Sequence, residues 1–146
     1  DKRQIQVLKT LATNLERRSQ CWIHAYVVCR ETEKEAKDYL HHYVIEKGDN
    51  TAVNNMLDIF GLQSKTLEPE VLDNFKFHFK AGHGGYPLIG TPEQIVADIQ
   101  RLSKMGVNGI LLSWVDYLKE AQQWIEQVIP LMEQVGLRQP FQLYSK

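Results

Sequence analysis

Residues 91–114 read TPEQIVADIQRLSKMGVNGILLSW. Thr91 stands before Pro92 with Gln94 three residues on, which combines an N-cap, a proline at the first helical position and a capping-box partner, so a helix starts here. Ile95, Val96, Ile99, Leu102 and Met105 recur at helical spacing as one apolar stripe, and Gly106 supplies the stop. Val107 to Trp114 follows at once, and its Ile110-Leu111-Leu112 centre shows no polar alternation. Such a strand is covered on both faces, as in parallel sheets flanked by helices. A helix that runs straight into a buried strand makes 92–106 the crossover of a parallel α/β unit.

The other strong strand lies upstream at 21–29, CWIHAYVVC, rich in aromatic and β-branched residues. Cys21, Ile23, Ala25, Val27 and Cys29 form a small apolar face, and Trp22, His24, Tyr26 and Val28 point the other way. Before it, Ile5, Leu8, Leu11, Ala12 and Leu15 predict a helix over 2–18 with one buried face. After it, Thr32 and Glu35 open a helix that runs to about Lys47, before Gly48. Two shorter helices follow, over 52–60 and from Pro69 to Lys80, and then one Gly/Pro-rich loop at 82–91, GHGGYPLIGT. A last helix over 117–134 carries Leu118, Ala121, Trp124, Ile125, Val128 and Leu131, with Pro130 set to break its final turns. The expected architecture is two parallel strands, one domain over 1–146, and a helical insertion at 31–91 leaving the carboxyl end of the first strand. Ligand sites of α/β folds lie at that end, which directs attention to the insertion and to 113–117.

The chain has 146 residues, 17 basic against 18 acidic, for a formal charge of −1. That balance removes the electrostatic ground for expecting nucleic acid or an anionic membrane as partner. Cys21 and Cys29, eight residues apart on one strand, would stand about 26 Å apart, beyond disulfide reach. Two free thiols and the lack of an apolar run near 18 residues predict a reduced, cytoplasmic setting. No metal is expected: His41 and His42 are adjacent and diverge on a helix, and His42 with Glu46 lacks a third ligand at helical spacing. The glycines of 82–90 match neither the phosphate-loop nor the dinucleotide pattern.

Three stretches together carry a family resemblance: AYVVCRETEKEAKDY (25–39), AGHGGYPLIGTPEQIVADIQRLSKMGVNGILLSW (81–114) and VIPLMEQVGLR (128–138). In order and spacing the chain resembles the carboxyl-terminal part of the bacterial-luciferase-like flavin monooxygenases, nearest the dimethylsulfone, alkanesulfonate and pyrimidine monooxygenase branch. The resemblance implies part of a (β/α)8 TIM barrel, which needs about 250 residues in full. It implies reduced FMN supplied by a partner flavin reductase, O2 as co-substrate, and a small organic substrate, organosulfur compounds among the candidates.

On this reading His24 and Tyr26 face the substrate pocket from the first strand, where related alkanesulfonate enzymes carry cationic or imidazole groups. His83 and Tyr86 belong to a mobile family segment at the pocket mouth, and Trp114 and Tyr117 lie at the exit of the last strand. The catalytic residues stay unassigned. The loop that takes the FMN phosphate is expected upstream of residue 1, so the 146-residue chain should bind FMN weakly or not at all and be inactive by itself. A symmetric homodimer is expected to cover its open edges. Two other classes are open: a non-catalytic truncated member acting as an interaction module, and a thiol hydrolase using Cys29.

Overall fold

The computed structural model describes residues 2–61 and 68–142. Its elements are α1 (Lys2–Asn14), β1 (Trp22–Cys29), α2 (Glu33–His41) continued by a π-helical turn (His42–Glu46), α3 (Asn50–Ile59) and α4 (Pro69–Gly82). Then come β2 (Tyr86–Gly90), α5 (Pro92–Met105), β3 (Gly109–Ser113), α6 (Tyr117–Gln123), a second π-helical turn (Trp124–Val128) and α7 (Ile129–Gln134).

The three strands form one parallel sheet in the order β2-β1-β3. The expected parallel α/β unit is there, with α5 as its crossover, but the strand count of two is corrected to three. The added strand, YPLIG, lies inside the stretch read as a loop. Its five residues carry a proline between glycine-rich flanks, which normally argues against a strand. Proline is tolerated because, among the described residues, β2 is an edge strand with a ladder on one side only. The insertion is therefore helical over α2 to α4 and ends in a strand.

The two faces of β1 divide the core as their alternation predicts. Ala25, Val27 and Cys29 pack with Leu88, Ile95, Val96, Ile99, Trp124 and Val128 under α5 and the second π turn. Tyr26 and Val28 pack on the other side with Ala36, Leu40, Val44 and Ala81, under α2 and α4. Thr32 and Thr91 make complete capping boxes with Glu35 and Gln94. Pro130 sits where expected, just past the second π turn, in which the Ile129 N–H reaches back to the Trp124 carbonyl.

Burial departs from expectation at the amino end of the sheet. Trp22 is 63% exposed and Leu111 on β3 67%, so neither strand is covered on both faces along its whole length. Helix α1 ends at Asn14 rather than Arg18, because the chain turns through a left-handed Glu16 (φ 55°) whose neighbour Arg17 donates back to the Ala12 carbonyl. It buries none of its residues: Leu8 and Leu11, with Leu15 just past its end, form an apolar stripe that faces outward.

Candidate functional site

Positions 24 and 26 of β1 project from one face, and each meets a partner across a hydrogen bond. His24 Nε2 lies 2.9 Å from the Ser113 hydroxyl on β3. Tyr26 Oη lies 3.0 Å from Nδ1 of His78 on α4. Burial pushes the Tyr26 phenol up to about 12, so it keeps its proton. Ser113 lies 3.4 Å from the Ala25 carbonyl, so His24 is its nearer partner.

Two cavities flank this pair of bonds. The larger, about 560 Å3, lies between β1, α4 and the 84–87 backbone, with His24, His78, Asn74, Phe75, Gly85 and Tyr86 among its walls. The smaller, about 240 Å3, is walled by Tyr43, Lys80, His83, Ser113, Trp114 and Tyr117. The His24–Ser113 hydrogen bond joins the two, since each partner lines one of them.

The six residues predicted from sequence are thus distributed rather than gathered. His24 and Tyr86 line the larger cavity, and His83, Trp114 and Tyr117 the smaller. Tyr26 lines neither of these two and acts through His78. The Tyr86 hydroxyl accepts a 2.6 Å hydrogen bond from Arg101 of α5. His83 ends α4 in the left-handed conformation at φ 51°, and its ring lies tilted against Phe79 with centroids 5.6 Å apart. The Trp114 ring meets Tyr117 edge-on at 5.5 Å, while its buried indole N–H has no hydrogen-bond partner among the described residues.

Sequence reasoning missed His78 and Asn74. They stand four apart on α4 and share a helix face with Val71 and Phe75, a spacing that marks them once β1 is known to lie beneath that face. It also missed the clamp behind Trp114. Glu120 accepts from the backbone N–H groups of Val115 (3.1 Å) and Asp116 (2.8 Å) and from Arg30 (2.9 Å). Arg30 in turn donates to the Cys29 carbonyl at 2.6 Å and lies over the Tyr39 ring at 3.8 Å. One carboxylate therefore ties the exit of β3 to the exit of β1. Cys29 itself is buried in the core with its thiol pushed up to about 11 by desolvation, which keeps it out of nucleophilic chemistry. His42 bonds Glu46 at 2.7 Å, and no cluster of metal-ligating side chains occurs among the described residues. No described helix is long and apolar enough to cross a membrane.

Comparison with known proteins places this geometry in context. No family model matches the chain. It is 32% identical over 119 residues to the FMNH2-dependent dimethylsulfone monooxygenase of Pseudomonas fluorescens strain Pf0-1, covering 77% of this chain and 32% of that protein. It is 26% identical over 129 residues to the sulfoquinovose monooxygenase of Agrobacterium fabrum, covering 79% of this chain and 34% of that protein. The chain spans about a third of the length of these curated relatives. Among solved structures, a riboflavin lyase superposes with a TM-score of 0.72 at 18% identity, over 92% of this chain and 36% of its own. A long-chain alkane monooxygenase gives 0.69 at 18% identity, over 99% and 36%. The sequence relatives support a luciferase-like monooxygenase family for the chain, and the structural neighbours and the three parallel strands match part of a TIM barrel.

Proposed function

We propose that the protein carrying this chain is an FMN-dependent monooxygenase that uses reduced flavin and O2 to oxygenate a small organosulfur compound, and that residues 1–146 form, as one domain, the substrate-side wall of its site. The observation that carries the reading is the cavity at β1, where two imidazoles held by hydroxyl groups meet apolar walls in a chain related to sulfone and sulfoquinovose monooxygenases. Few polar groups in an apolar cavity is the usual composition of a small-molecule site. His24 and His78 orient the substrate, and Trp114 and Tyr117 close the adjoining space and exclude water. A partner reductase supplies the reduced flavin, and the cytoplasm keeps the two free thiols reduced.

FMN does not fit wholly on these residues. No Lys or Arg lines the larger cavity, and four helix amino termini that could hold a phosphate already have side-chain caps, from Thr32, Asp49, Thr91 and Asp116. The flavin phosphate is therefore held by another part of the whole protein. The test is reductase-coupled oxygen uptake by the whole protein. Uptake that depends on a sulfone, sulfonate or sulfoquinovose supports the reading. Uptake that none of them changes favours the non-catalytic interaction module.

A further inference from the structure

We propose that the cavity between α5, β3 and α7 binds an aliphatic monocarboxylate, with its tail laid along β3 and its head at Arg138. The site is separate from the oxygenase reading above. Ile110 and Leu112, which wall it, pack with the cluster under α5, on the face of the sheet opposite Tyr26. The cavity measures about 330 Å3, within the range of small-molecule sites. Its floor is apolar: Ile99, Leu102 and Trp124 are buried, and Leu112, Ile129 and Met132 complete it. Its polar side chains, Ser103, Asn108 and Arg138, are all exposed and so form the rim.

The topology explains this polarity. Ser103 and Asn108 flank the tight turn from α5 into β3, in which the Val107 N–H donates to the Leu102 carbonyl. α6 and α7 run back along the sheet from the carboxyl end of β3, so Arg138, just past them, returns toward the same amino end. Arg138 is the one cation of the lining among the described residues, and no Asp or Glu joins it there. Glu133 stands 3.9 Å from its guanidinium, beyond hydrogen-bond reach, which leaves those donors to a ligand. Asn108 spends its side-chain oxygen on the Cys21 N–H at 3.0 Å, so its amide N–H groups are the donors it offers the rim. A guanidinium matches a carboxylate with two parallel hydrogen bonds, and every methylene laid on the floor adds affinity. An uncharged amphiphile forgoes the first gain and a short acid the second. β3 covers about 10 Å from Gly109 to Leu112, which suits a chain of medium length, so octanoate is the probe.

The three methionines of the chain report on separate places: Met132 lines this cavity, Met105 the larger cavity at β1, and Met56 on α3 neither. Leu102 and Val107 wall both cavities, so this separation decides which one is filled. The test is methionine-methyl NMR of the 146-residue chain, titrated at neutral pH with octanoate, 1-octanol and butyrate. Octanoate is expected to shift Met132 saturably and to leave Met105 and Met56 in place. Octanol should bind about fivefold weaker, as fits a charged pair at an exposed rim, and butyrate more than about a hundredfold weaker. Arg138→Gln should weaken octanoate about fivefold and leave octanol unchanged; the side chain is exposed, so the fold does not depend on it. Octanol or butyrate binding as tightly as octanoate, an Arg138→Gln variant that binds octanoate unchanged, or a shift at Met105 instead of Met132 overturns the proposal. A Met132 resonance that follows protein concentration and ignores octanoate also overturns it, and gives the cavity to a second copy of the chain. None of these readouts involves flavin or oxygen, so failure here leaves the oxygenase reading standing.

Discussion

Glu120 is 8% exposed at its side chain, yet its two oxygens accept three N–H groups and face one guanidinium. Breaking a buried pair leaves the remaining charge and the two backbone donors uncompensated. Arg30 keeps 24% of its side chain in water, which moves the expected cost to the low end, about 3 kcal/mol for Glu120→Ala. Urea denaturation measures it, and a loss under about 1 kcal/mol would mean that the clamp holds little. A second residue-level prediction concerns alkali. Burial raises Cys29 from its ordinary 9.0 to about 11 and Tyr26 from 10.0 to about 12. For acids whose folded pKa is raised, the contribution is whole below the unfolded value and is lost as pH climbs through the folded one. The denaturation midpoint should therefore fall between about pH 9 and 12, and Tyr26→Phe should flatten the upper part of that fall. At this scale the alternation of β1 made His24 and Tyr26 legible as partners on one face. His78 and Glu120 were not legible, because each earns its role from an element more than fifty residues away in sequence.

Elements were legible wherever local chemistry stops and starts them: Thr32, Thr91 and Gly106 mark boundaries that the structure reproduces. β2 was not, since a five-residue segment with an internal proline has no local signal of its own and becomes a strand only beside Ala25–Cys29. The stripe on α1 was legible as helix, while its burial depended on a neighbour that periodicity cannot identify. Packing between α4 and β1 supplies the prediction here. A Cβ at Gly82 would lie 2.3 Å from the Cβ of Tyr26, a contact that neither backbone nor ring can yield cheaply. Gly82→Ala should cost about 1–3 kcal/mol by overpacking and should weaken the Tyr26–His78 hydrogen bond. Thermal denaturation checks the first and the His78 side-chain resonance the second; an unshifted melting point would show that α4 moves freely over the strand.

The molecule as a whole leaves apolar surface uncovered where its sheet and first helix face outward: Leu8, Leu11, Leu15, Trp22 and Leu111 are all exposed. Among the described residues, the edges of β2 and β3 away from β1 carry no further strand. Such surfaces draw partners, so sedimentation of the 146-residue chain at micromolar concentration should give a dimer or larger species. A stable monomer would contradict that. Family and parallel α/β order were legible from three sequence blocks because their spacing is set by one crossover unit. The division of the site into two cavities was not, since it arises from the packing of α4 against the sheet. The central claim is oxygen insertion, and the direct measurement is turnover of dimethyl sulfone by the whole protein with a flavin reductase under 18O2. One atom of 18O is expected in the oxidised product and the other in water. Product free of the label, or oxygen consumed only to peroxide with the sulfone intact, would contradict it.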